Sequence, residues 1–167
     1  GGRSLALTPL GGGARGFAHI GVVKALREAG LQIDSVGGTS IGAVIGAGVA
    51  AEWSIEEMTE RFRHAFYDTN PLSDYTLPLV SIVSGRKVAR LLRETYGERE
   101  IEDLPLPFFC VSANLTRGEA HVHREGLLWQ AVRASVAIPG LLPPVFRAGQ
   151  VFVDGGVVNN LPVDLMR

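Results

Sequence analysis

The chain has 167 residues, 46% of them hydrophobic and 20% charged, with 21 glycines. That length fits one domain, residues 1–167, with a core that removes roughly two-thirds of the unfolded chain's surface from water; the apolar fraction excludes global disorder. Sixteen basic against seventeen acidic residues leave a net charge of −1, too little for a basic field that holds nucleic acid. The single cysteine excludes an internal disulfide framework.

In chain order, residues 4–8 read as a short buried strand, followed by Gly11-Gly12-Gly13-Ala14-Arg15-Gly16. A helix over 17–28 follows, with apolar residues at Phe17, Ile20, Val23 and Leu26 and a stop at Gly30. A strand over 33–36 leads into a small-residue helix over 41–51. Ser54-Ile55-Glu56-Glu57 is a capping box and predicts a helix over 55–66. Residues 70–84 are apolar and Pro-containing and read as loop, 86–96 as helix ending at Gly97, and 107–114 as a core strand that pairs with 119–123. A helix over 127–136 and a strand over 151–153 complete the list, the strand running into Asp154-Gly155-Gly156. Strands alternating with helices imply an α/β fold with a mainly parallel sheet covered on both faces, and such sheets collect ligands at the carboxyl ends of their strands.

No run reaches the ~18–20 apolar residues of a membrane span; the nearest, 36–51, contains Gly37-Gly38-Thr39-Ser40. The opening Gly1-Gly2-Arg3 and the stop at Arg167, where Pro162 to Met166 starts a helix, read as cuts from something longer.

Three segments follow predicted strands. Gly38-Thr39-Ser40-Ile41-Gly42 fits G-x-S-x-G between strand and helix. A sharp turn there exposes the Ser side chain, the glycines let backbone pass close by, and the helix start offers free N–H groups. The alternative is a Gly-rich packing turn. The Gly11–Gly13 loop can aim several N–H groups at one anion, either an oxyanion or a phosphate. It also fits G-x-G-x-x-G, but a dinucleotide site needs an acidic residue at the far end of the second strand, and Asp34 lies before Val36, at the wrong end. Asp154, with Gly155 and Gly156 behind it, can reach into a site or simply close an Asp-Gly turn.

None of the four histidines follows Asp154, so the order Ser, acid, His fails within the chain. His19 reads as packing and His64 as a solvated helix-end residue. His121 and His123 share a strand face, but two ligands without a third make no zinc site. Asp154 remains as the base for Ser40, provided a dry site raises its pKa from about 4.

Taken together, the Gly11–Gly16, Gly38–Gly42 and Asp154–Gly156 motifs resemble the patatin-like phospholipases. Phe17 to Leu26, Val132-Arg133-Ala134-Ser135 with Pro139, Leu142-Pro143-Pro144 and Asn159-Asn160-Leu161-Pro162 look like the neuropathy target esterase branch of that family. The resemblance implies a three-layer α/β/α serine esterase without cofactor or metal. Ser40 would be the nucleophile, Asp154 its base, and the amides of Gly11, Gly12 and Gly13 the oxyanion hole. Ala14, Arg15, Gly16, Gly38, Gly42, Gly155 and Gly156 would support them, with Arg15 bracing the loop or facing an anionic head group. Two departures stand out: Thr8-Pro9-Leu10 precedes the glycines, and the family domain continues beyond this length. The implied substrate is a phospholipid or lysophospholipid ester, met in the cytoplasm with peripheral membrane contact and no nucleic acid. Residues 137–146 and 72–83 could line an acyl pocket, touch a bilayer or merely cover the core. A non-catalytic lipid- or acyl-binding module and a nucleotide-binding regulatory module are the competing readings.

Overall fold

The computed structural model describes residues 5–7, 16–65 and 78–158, with the backbone path alone for 78–84. Among the described residues, six strands and five helices carry the fold: β1 (Ala6–Leu7), α1 (Gly16–Glu28), β2 (Ser35–Thr39), α2 (Ile41–Ala50), α3 (Ile55–Arg63), α4 (Pro78–Tyr96), β3 (Phe108–Asn114), β4 (Glu119–His123), α5 (Leu128–Ser135), β5 (Val145–Arg147) and β6 (Gln150–Asp154). Short 3₁₀ turns occupy Ile101–Asp103 and Gly155–Val157.

All six strands form one open sheet in the order β1-β2-β3-β6-β5, with β4 also on β3. β1, β2 and β3 are parallel, and β4, β5 and β6 pair antiparallel. Register explains the most consequential feature. β2 pairs with Phe108 to Val111 of β3, ending at Thr39 opposite Val111. β6 pairs with Ser112 to Asn114, ending at Asp154 opposite Ser112. β4 covers Cys110 to Asn114 on the other flank. The strands β2 and β6 therefore abut end to end along one flank of β3, and their last residues meet at Val111 and Ser112. β3 contacts β2, β4, β6, α2 and α5, and all seven of its residues are buried.

The helices form for the reasons the sequence suggests. Ile20 and Val23 bury the inner face of α1, and Gly30 ends it with φ 71°. α2 is buried almost throughout, its Gly and Ala positions allowing close approach to β2. Ser54 caps α3, accepting a hydrogen bond from the Glu57 amide at 3.1 Å. Glu57 turns instead to Arg61, so only half of the capping box is made.

Several boundaries differ from expectation. β2 runs over Ser35–Thr39, not 33–36, because Gly37 and Gly38 stay in the ladder. A Cβ at Gly37 would lie 2.3 Å from the Phe109 ring, so packing overrides the poor strand propensity of glycine. α3 ends at Arg63, and Phe66 lies outside the described residues. The segment 70–84 is not all loop, since α4 starts at Pro78, a residue tolerated in a first helical turn. Residues 145–147 form β5, tied to β6 by a two-residue turn with positive φ at Ala148 (49°) and Gly149 (71°). Pro9, the start of a helix at Pro162, and residues 159–162 lie outside the described residues.

Candidate active site

Ser40 stands in the gap between β2 and α2. Its backbone has φ 57° and ψ −129°, a conformation that non-glycine residues rarely adopt. Neighbouring groups enforce it. A Cβ at Gly38 would lie 2.5 Å from the Gly42 carbonyl oxygen, so the two motif glycines touch through their backbones. The Ser40 amide donates to the Ser135 hydroxyl at 2.9 Å, and that hydroxyl donates to the Val111 carbonyl at 2.7 Å. Ser135 thus fastens the turn to the β3 residue at which β2 and β6 meet. The Ser40 side chain caps nothing, which leaves its hydroxyl available.

Asp154 arrives from the other strand end. Its amide donates to the Ala137 carbonyl at 2.9 Å, and its Oδ1 accepts from the Gly156 amide at 2.7 Å. Gly155 has no room for a side chain, because a Cβ would lie 2.3 Å from the Val111 carbonyl. Oδ2 is buried and makes no hydrogen bond of full geometry. The Ser40 hydroxyl is the side chain that reaches this carboxyl. Both residues are nearly closed off, Ser40 at 4% exposure and Asp154 at 6%. Burial pushes the Asp154 carboxyl above its usual value, while the Ser40 hydroxyl and the Gly156 amide pull it partly back. A carboxylate made more basic beside a hydroxyl can take that hydroxyl's proton.

Gly38, Gly42, Gly155 and Gly156 therefore gather around Ser40 and Asp154. Gly16 opens α1, where a Cβ would strike the Phe62 ring. Gly11, Gly12, Gly13, Ala14 and Arg15 lie outside the described residues.

The remaining candidates fall elsewhere. Asp34 pins β1 to β2 at their amino ends, its carboxylate accepting from the Leu5 amide at 2.7 Å. It is thus spent at the wrong end of the strand for a dinucleotide. His121 and His123 share a face as expected, edge to face at 4.6 Å. The buried His123 Nε2 is bonded to the Ser112 hydroxyl at 2.7 Å, and burial lowers its pKa to about 3. His123 is therefore neutral and packs beside Phe152. His64 is the exposed C-cap of α3.

Sequence reasoning gave no role to Ser135. Nothing local marks it, because its partners Ser40 and Val111 lie 95 and 24 residues away. It also missed a narrow apolar cavity of about 50 Å³ between α2, α3 and α4, which begins at Val44, one helical turn beyond Ser40. Gly48, Trp53, Met58, Leu92 and Tyr96 continue its wall.

Three comparisons bear on this arrangement. The family model described as patatin-like phospholipase matches residues 10–167. The chain is 46% identical over 165 residues to an uncharacterised NTE family protein of Mycobacterium tuberculosis, covering 99% of this chain and 28% of that protein. It is 42% identical over 170 residues to the lysophospholipase nte1 of Aspergillus niger, covering 99% of this chain and 11% of the other. The chain thus spans roughly a quarter or less of these relatives. Among solved structures, VipD from Legionella pneumophila superposes with a TM-score of 0.71 at 17% identity, covering 96% of this chain and 47% of VipD, a likeness of fold.

Proposed function

From the premise that the chain belongs to the patatin-like phospholipase family, we propose that it is a serine hydrolase of lipid carboxyl esters. Ser40 is the nucleophile and Asp154 its base. The observation that carries this reading is the meeting of β2 and β6 on β3. It brings a strained, uncapped serine against a buried carboxyl whose Oδ2 is unspent.

The Ser40 hydroxyl oxygen attacks the ester carbonyl carbon as Asp154 takes the hydroxyl proton. The tetrahedral oxyanion collapses, the bond to the alkoxy oxygen breaks, and the alcohol leaves with the proton that Asp154 returns. Water then attacks the acyl-serine, giving its proton to Asp154, and a fatty acid departs as Ser40 is reprotonated. By helix geometry the first amides of α2, on Ile41 and Gly42, have no intrahelical acceptor. They face developing charge at the positive end of the helix dipole, and the family resemblance adds the amides of Gly11, Gly12 and Gly13 to that role. Lysophospholipid or phospholipid is the substrate class, a reading supported by the name of the Aspergillus niger relative and by the apolar cavity one turn beyond Ser40. Substrate held in a bilayer or micelle would bring peripheral membrane contact; no helix among the described residues is long and apolar enough to cross a membrane.

The test is labelling with a fluorophosphonate followed by peptide mapping. One adduct, on Ser40 and lost in Asp154→Asn, is the expected result. A folded protein that takes no adduct, or takes it elsewhere, overturns the proposal.

A further inference from the structure

A second cavity, of about 280 Å³, lies between α5 and the β5–β6 ribbon, lined by His123, Trp129, Arg133, Val145, Arg147 and Phe152 among others. Its polar groups are unusual in kind. Arg133 is only 7% exposed. One of its terminal nitrogens donates to the Pro143 carbonyl at 2.9 Å, while the other is buried with no partner among the described residues. The Trp129 indole N–H is likewise buried and unpartnered. No Asp or Glu is among the described lining residues, and no described carboxylate pairs with Arg133 or Arg147. The nearby Glu119 is engaged by Arg117 at 3.5 Å.

Buried donors are ordinarily satisfied, and a buried cation without a counter-charge is costly. Here the two residues that carry such donors, Trp129 and Arg133, line the same cavity, together with the exposed Arg147. Space for the Arg133 guanidinium is kept open by Gly85 on α4, whose added Cβ would lie 3.2 Å from it. The charge that would complete the set is negative. We infer that this cavity binds a phosphate-type anion, held by Arg133, Trp129 and Arg147, and that in catalysis the anion is the head-group phosphate of the lipid substrate.

The placement suits that role and rests on the hydrolase reading above. Phe152, on the cavity wall, and Asp154 share one face of β6, two residues or about 7 Å apart. A three-carbon glycerol unit bridges such a distance between ester carbonyl and phosphate. His123 adds no positive charge, being neutral above a pKa of about 3. Recognition therefore falls to the guanidiniums, whose forked donors match phosphate oxygens.

The experiment compares the intact protein with Arg147→Gln, Arg133→Gln and Arg133→Lys on lysophosphatidylcholine and on a monoacylglycerol with the same acyl chain. The ratio of kcat/KM for the first substrate over the second should fall about 10-fold in Arg147→Gln and further in Arg133→Gln, with partial rescue in Arg133→Lys. Inorganic phosphate should compete with lysophosphatidylcholine in the parent protein and more weakly in the variants. A phosphate-dependent rise in Tm that Arg147→Gln abolishes, with the substrate ratio unchanged, assigns the same cavity to free phosphate. Equal losses on both substrates, or no change in ratio and no phosphate effect on Tm, overturn the inference. A parent protein that hydrolyses neither ester overturns the hydrolase reading instead, and the Tm measurement still decides the anion site.

Discussion

The two strand ends that meet on β3 are built with different emphasis. At the end of β2 the chain is placed by shape: Gly37 under the Phe109 ring, Gly38 against the Gly42 carbonyl, and Ser40 forced to φ 57°. At the end of β6 it is placed by polar contacts: the Gly156 amide on Asp154 Oδ1, the Ala137 carbonyl on its amide, and buried Ser112 bonded to His123 across the same face. Ser40 is held chiefly by steric exclusion in a parallel ladder, with one amide bond to Ser135, and Asp154 chiefly by hydrogen bonds in an antiparallel one, with Gly155 packed against the Val111 carbonyl. The first half should be sensitive to volume and the second to charge and protonation.

The largest effects test whether the halves form one machine. Ser40→Ala should lower kcat/KM on a soluble ester by about 10⁴-fold or more, with the circular dichroism spectrum retained. Asp154→Asn should cost about 10²–10⁴-fold, because the hydroxyl loses its proton acceptor. If Asp154→Asn kept full activity, the meeting of the strands would be packing and nothing more. In the parent protein kcat/KM should climb with pH through a midpoint above the ordinary carboxylate range, since burial raises the Asp154 pKa.

The same shift makes a stability prediction of opposite sign. Between the unfolded carboxyl pKa, near 3.8, and the raised folded value, the folded state holds a proton that the unfolded state has released. Stability therefore falls as pH rises through that window and stays lower above it. Asp154→Asn removes the penalty, so urea denaturation should find it more stable than the parent at pH 7 and equal to it below the window.

Volume is tested at Gly38. Gly38→Ala places a methyl group against backbone, which cannot swing aside as a flexible side chain can. It should cost about 3 kcal/mol or more, read as a fall in Tm or a loss of soluble protein.

This glycine also shows why the sequence was legible where it was. The G-x-S-x-G and Asp-Gly-Gly segments each follow a strand, so turn chemistry and strand ends could be read locally. The α1 and α3 helices carried their own punctuation, Gly30 and Ser54. What local pattern could not supply was register. That β2 and β6 abut at Val111 and Ser112 depends on pairings 72 residues apart for β2 with β3 and 38 to 42 apart for β3 with β6. β5 was hidden for a different reason: its hairpin turn uses Ala148-Gly149, where Asn-Gly would have announced it. The start of α4 was hidden by Pro78, which reads as a breaker although a first helical turn tolerates it. Arg133 and Trp129 stood in the sequence as ordinary helix residues, and only burial without partners sets them apart.

Ser135 joins the two halves and should give an intermediate effect. Ser135→Ala removes the acceptor of the Ser40 amide and the donor to the Val111 carbonyl together. A loss of about 1–3 kcal/mol in stability is expected. Catalysis should fall through kcat more than KM, since Ser135 acts through the Ser40 amide that it holds.

The smallest prediction isolates the strain itself. Backbone held in such a region costs about 1–3 kcal/mol, and glycine adopts it freely at an entropic cost of about 0.5–1 kcal/mol on folding. Ser40→Gly should therefore be inactive yet more stable than Ser40→Ala by about 1 kcal/mol, a difference of roughly 2–4 °C in Tm for a chain of this size. Comparing the two inactive variants cancels the loss of the hydroxyl and leaves the backbone term. The matching experiment in the other half is Asp154→Asn, whose gain in stability should vanish at low pH, while the gain of Ser40→Gly over Ser40→Ala should persist at every pH. A pH-dependent gain at Ser40 would mean that its backbone is held by the carboxylate after all, and that shape alone does not place the nucleophile.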